Sequence, residues 1–124
     1  MKRESLPTPD DRDGSHDPLW RSPTGLSLLL VLLTFSAFLR LGRCDFVNYD
    51  DPDYVTANLH VQGGLSWQSL VWAFGTGHAS NWHPVTWISH MLDWRFFGAS
   101  AAGHHWVSLF FHVLNGLLVF ACLR

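Results

Sequence analysis

Gly25–Leu39 reads GLSLLLVLLTFSAFL, a run with neither a charge nor a proline. Continued to Gly42 it admits only Arg40, whose long stem lets the guanidinium reach toward lipid headgroups. About 18 residues at 1.5 Å each cover roughly 27 Å, close to the ~30 Å hydrocarbon core of a bilayer. A buried soluble helix is the alternative, but the run has no polar face to turn toward water. Residues 25–42 therefore read as a transmembrane helix, and the rest of the chain is organised around it.

A second apolar run, Gly103–Leu123 (GHHWVSLFFHVLNGLLVFACL), supplies another transmembrane helix over residues 104–123. His105, Ser108, His112 and Asn115 fall on one stripe of that helix, which lipid would not tolerate. The stripe has to face protein, and Ser27, Thr34 and Ser36 of the first span offer it little. Further transmembrane helices missing from this chain are the expected partners, so the chain reads as the front of a larger membrane protein.

Residues 43–103 then form a long loop with short helices lying at the membrane interface. Asp51-Pro52 looks like a helix entry, with Asp51 as cap and Pro52 at the first position, running through DYVTANLHV to Gly63-Gly64. Pro52 should also push Asp51 out of the α region and turn the backbone, so that the carboxylates of Asp50 and Asp51 converge. Ser66 caps SWQSLVWAF, and Asn81–Pro84 (NWHP) opens VTWISHMLDWRFF, which Gly98 ends. At helical spacing Thr86, Ser89, His90 and Asp93 share a narrow polar arc, and the remaining apolar face suits lipid or other spans. Six of the seven tryptophans lie between Trp67 and Trp106, as in an interfacial aromatic belt.

Residues 1–24 are rich in proline and mixed charge and read as a disordered tail. The cluster Lys2, Arg3, Arg12 and Arg21 outweighs Arg40, Arg43 and Arg95, so the N-terminus is assigned to the cytoplasm and the loop to the extracytoplasmic side. Leu41-Gly-Arg-Cys44 is no lipoprotein cleavage box, because Arg43 stands where a small residue is needed. The fold class is an all-α membrane protein of two transmembrane helices joined by a long extracytoplasmic loop.

Composition agrees: of 124 residues 48% are hydrophobic and 15% charged, with a net charge of −2. There is no basic stripe, and so no sign of a nucleic-acid partner. Cys44 and Cys122 belong to opposite ends of the spans and should not pair. Eight histidines invite a metal or haem reading. The close pairs His78/His83, His104/His105 and His105/His112 each lack zinc spacing and a third ligand nearby.

With FVNYDD, NWHPVTW, SHMLDWRFFG and HHWVSLFFHVLN in view, the stretch from about Phe46 to Phe120 resembles the front of membrane glycosyltransferases of the GT-C type. The likeness is to the protein O-mannosyltransferase-like family with C-terminal tetratricopeptide repeats, in its bacterial form. It implies an inner-membrane enzyme that moves a mannose-like sugar from a polyprenyl-phosphate donor to a protein hydroxyl with inversion. It matches Asp50 and Asp51 to the family's acidic pair beside the donor, His83-Pro84-Val85-Thr86 to a basic residue before Pro-Leu-Thr, and His105 with His112 to a pattern opening the second span. Ser108 departs from an expected Asn, and Ala101-Ala102 from a proline-containing approach.

Such a displacement needs a carboxylate to take the acceptor's proton and positive charge for the departing phosphate. Asp50 is then the base, with Asp51 orienting it or binding Mg²⁺ or Mn²⁺, while His83 and Asn81 are the candidate substrate contacts. Without the resemblance, Asp51 is a helix cap, Asp50 a solvated charge and His83 a polar turn residue. The competing reading is a small two-span protein that holds a partner subunit or haem through its histidine stripe.

Overall fold

The computed structural model describes residues 22–124, so the disordered-tail reading falls outside it up to residue 21. From Pro23 the chain is already helical, because the hydroxyl of Ser22, the N-cap, accepts from Gly25 N (3.0 Å) and Pro23 takes the first position. Among the described residues there are helices and no strands.

Helix α1, Pro23–Ala37, is about 22 Å long at 1.5 Å per residue. It stops short of the expected Gly42 because Phe38 N–H is shared between the carbonyls of Thr34 and Phe35, tightening the last turn. Thr34 and Ser36 hydroxyls also bond back to the carbonyls of Leu30 and Leu32 (2.8 and 2.7 Å), a contact that favours bending near the end. A turn and a 3₁₀ segment at Leu41–Arg43 carry the chain onward, so the apolar stretch Pro23–Arg43 reaches 21 residues.

The four-residue helix α2 (Leu59–Gln62), α3 (Trp67–Gly75) and α4 (Pro84–Phe97) follow in the connecting segment, and α5 (Ala101–Cys122) closes the chain at about 33 Å. The N-terminal end of α1 meets the C-terminal end of α5 around Leu26 and Phe120, while Phe38 lies edge-on to His112 and Gly42 lies against Trp106. The two helices are therefore antiparallel, with the whole connecting segment at one end. The stretch Pro23–Arg43, of which α1 is the main part, and α5 are each long and apolar enough to cross a membrane. No residue of α1 is buried, and side chains such as Leu32 (63% exposed) and Phe110 (61%) face outward. Cys44 and Cys122 are free.

The connecting segment has its own core. Val61, Ala73, Trp87 and Met91 are fully buried, flanked by Tyr54, Trp72, Ile88 and Trp94. Trp87 and Met91 lie one turn apart on α4, and they anchor it against α2 and α3. The apolar side of α4 is thus divided. Trp87 and Met91 fill this core, while Val85 and Phe96 remain exposed.

The predicted helix after Asp51 is broken in two. Pro52–Thr56 forms a π-turn in which Ala57 N–H reaches Pro52 O (2.9 Å), and a new helix, α2, begins at Leu59. The buried Asn58 makes the break, since its Oδ1 accepts from His60 and Val61 N–H while its Nδ2 donates to Asp53 O. Ser66, Pro84 and Gly98 act where the sequence reading has them, as cap, first residue and terminator.

Candidate functional site

The polar arc of α4 faces α5. Thr86, Ser89, His90 and Asp93 line one side of a cleft of about 390 Å³, and Val107, Ser108 and Phe111 of α5 line the other. Gly98 sits at φ +56°, a conformation that favours glycine, and so ends α4 abruptly enough for α5 to fold back alongside it. Gly103 allows the close approach, because a Cβ there would collide with the Cβ and Cγ of Phe97.

This turn brings three groups together. His90 and Asp93 are one turn apart on α4, with Nδ1 and Oδ2 at 3.9 Å, too far for a hydrogen bond. His104, in the first turn of α5, completes the set: one donor atom from each of His90, Asp93 and His104 lies within 4.8 Å of the others. His104 is 5% exposed and Asp93 7%. The ring of His104 is fixed by Nε2, 2.9 Å from Gly98 O. A nitrogen facing a carbonyl must donate, which leaves the lone pair on Nδ1. That Nδ1, like the Nδ1 of His90, is buried without a hydrogen-bond partner.

Burial is the main reason the His90 pKa is lowered, and the nearby His104 and His83 push it the same way, while Asp51 opposes them. Asp93 is raised, again by burial, with His104 opposing. His90 thus stands in one electrostatic neighbourhood with Asp51, His83 and His104.

The acidic pair divides. Asp51 is α-helical (φ −58°, ψ −32°) despite the proline that follows, and its side chain makes no capping bond. Its Oδ2 instead accepts from Val47 N–H at 2.6 Å, folding the approach from α1 back on itself. Asp51 does occupy the N-cap position with Pro52 opening the turn, but its side chain caps nothing, and the expectation that proline drives it out of the α region is corrected: the π-turn that Pro52 starts accepts a helical residue before it. Asp50 is exposed, and among the described residues only its backbone carbonyl is engaged, by Tyr54 N–H.

His83 precedes α4, packs on Trp87 (centroids 4.7 Å) and Tyr54 (5.6 Å), and has a buried, unpartnered Nε2. Asn81 is exposed and spends its amide on Ala79 O (3.1 Å), in a loop where Ala79 and Ser80 both have positive φ. It therefore points its donor at its own loop. On α5 the stripe splits. His105 and His112 lie near the rings of Phe46 and Phe38, Ser108 lines the cleft, and Asn115 is exposed.

Sequence pairing of histidines along one segment missed the set His90, Asp93 and His104. Its signal was His-x-x-Asp on one helix followed, after a glycine turn, by a histidine in the next. Comparisons of the chain with protein-family models, with curated proteins and with solved structures find no match.

Proposed function

We propose that this chain forms the first two spans and first extracytoplasmic loop of an integral-membrane glycosyltransferase, which moves a mannose-like sugar from a polyprenyl-phosphate donor to a protein hydroxyl. The membrane reading is supported by two antiparallel helices whose large apolar side chains have no cover among the described residues. Lipid and further transmembrane helices provide it. The bacterial inner membrane, with the N-terminus in the cytoplasm, follows from the resemblance and from the basic leader.

The observation that carries the chemical reading is the meeting of separate motifs at the ring of Tyr54, which follows shortly after Asp51 and packs against both His83 and His90. Asp50 stands next to Asp51 with a carboxylate free to take the proton of an acceptor hydroxyl. The unpartnered Nε2 of His83 is suited to a donor phosphate oxygen. Asp51, held by Val47 N–H, orients the pair or carries a divalent cation.

The test is transfer in membranes containing the complete protein of which this chain forms the first two spans, supplied with labelled polyprenyl-phosphate mannose and a hydroxyl-bearing acceptor protein. Asp50→Asn should lower turnover by about 10²- to 10⁴-fold with little change in donor binding. No transfer above membranes lacking the protein, or near-normal turnover by Asp50→Asn at equal expression, overturns the reading.

A further inference from the structure

The packing of α4 against the first turn of α5 brings together groups whose hydrogen-bonding capacity is left over. His90 Nδ1 and His104 Nδ1 are buried lone pairs or N–H groups without partners, and Asp93 is a buried carboxylate with no hydrogen bond among the described residues. Leaving such groups unsatisfied in a protein interior is unfavourable, more so for a charge. The three lie on two helices, yet their donor atoms fall within 4.8 Å of one another. We infer that His90, Asp93 and His104 bind a divalent transition-metal ion of the zinc class.

The donor set decides the class of ion. Two imidazoles and one carboxylate are borderline ligands, suited to Zn²⁺ or Co²⁺, whereas Mg²⁺ and Ca²⁺ prefer oxygen alone. Metal bonds of about 2.0–2.2 Å in a tetrahedron put ligand atoms roughly 3.3 Å apart. The 3.9 Å between His90 and Asp93, and separations of up to 4.8 Å within the set, are wider than that, so binding has to draw the three side chains together. His104 already has the arrangement metal-bound histidines use, with one nitrogen donating to a backbone carbonyl and the other left to the ion. Three protein ligands leave a fourth position open, and His90 and Asp93 border the cleft from which a water or substrate oxygen would reach it.

The ligands of this site are not the Asp50 and Asp51 carboxylates, although His90 stands in the electrostatic neighbourhood of Asp51, and its readout is metal binding, so its failure is distinguishable from a failure of the transferase reading. The test is titration of the purified, chelator-treated full chain in detergent with Co²⁺ and Zn²⁺. One equivalent of Co²⁺ should bind, with visible d–d absorption of tetrahedral intensity, and Zn²⁺ should displace it. Asp93→Asn and His104→Gln should each weaken binding by more than about 100-fold, since even loss of a supporting partner costs about 10–100-fold. His112→Gln should bind as wild type does. If wild-type protein takes up no stoichiometric Co²⁺ or Zn²⁺, the inference is wrong whatever the variants do. It is equally wrong if His112→Gln weakens binding as much as His104→Gln.

Discussion

Met91→Ala tests whether the connecting segment is a packed unit or a set of helices adsorbed at a surface. Met91 is 0% exposed and touches the cluster of Val61, Ala73 and Trp87. Truncation removes Cγ, Sδ and Cε. The space left behind is hard to refill, because Trp87 is stacked on Tyr54 (centroids 4.9 Å) and leans on Trp72 (5.1 Å). Buried Met→Ala changes cost about 2–5 kcal/mol, the upper part of the range applying where neighbours cannot collapse. For a small domain each kcal/mol lowers Tm by about 4–8 °C, so a loss of at least ~8 °C is expected. Phe96→Ala removes a larger side chain that is 76% exposed on the same helix, and in detergent it should shift Tm far less. Thermal melts in micelles, followed by tryptophan fluorescence, to which the buried Trp87 contributes, give both numbers. A Met91→Ala melt within about 2 °C of wild type, or a Phe96→Ala shift of equal size, would refute the core described for this segment.

Two further outcomes are expected. Asn58→Ala loses a side chain that caps α2 and ties it to Asp53 O, and it should cost about 1–2 kcal/mol, read as faster hydrogen exchange at His60 and Val61; unchanged exchange there would count against the break at Asn58. In a Cys122→Ser background, a membrane-impermeant maleimide should label exposed Cys44 from the extracytoplasmic side of intact cells, and labelling only after the cytoplasm is opened would reverse the topology.

The long helices were legible because a bilayer-length apolar run is a property of composition. The caps were legible for a similar reason, since Ser66, Pro84 and Gly98 act through bonds and dihedrals within a few residues. Local rules failed at Asp51 and Pro52. The preference of a residue before proline to leave the α region was overridden by the Val47 N–H bond and the π-turn. The arc of Thr86, Ser89, His90 and Asp93 followed from the helical period, but the period says nothing about what an arc faces. That depended on how tightly the chain turns at Gly98 and how closely Phe97 packs at Gly103. The meeting of His104 with His90 and Asp93 is a consequence of that turn, and so lay beyond any count of spacings along one helix.

The core around Trp87 and Met91 is drawn from residues that all precede α5. In synthesis, therefore, Val61, Ala73 and α4 have what they need to condense while the last helix is still unmade, and their short chain separations favour early closure. His104 arrives only afterwards, on a helix whose docking depends on the bare backbone of Gly103. The three-cornered pocket is consequently a record of completed assembly. A chain whose final helix has failed to settle keeps its folded surface unit, and lacks the one corner that makes the pocket more than a histidine beside an aspartate.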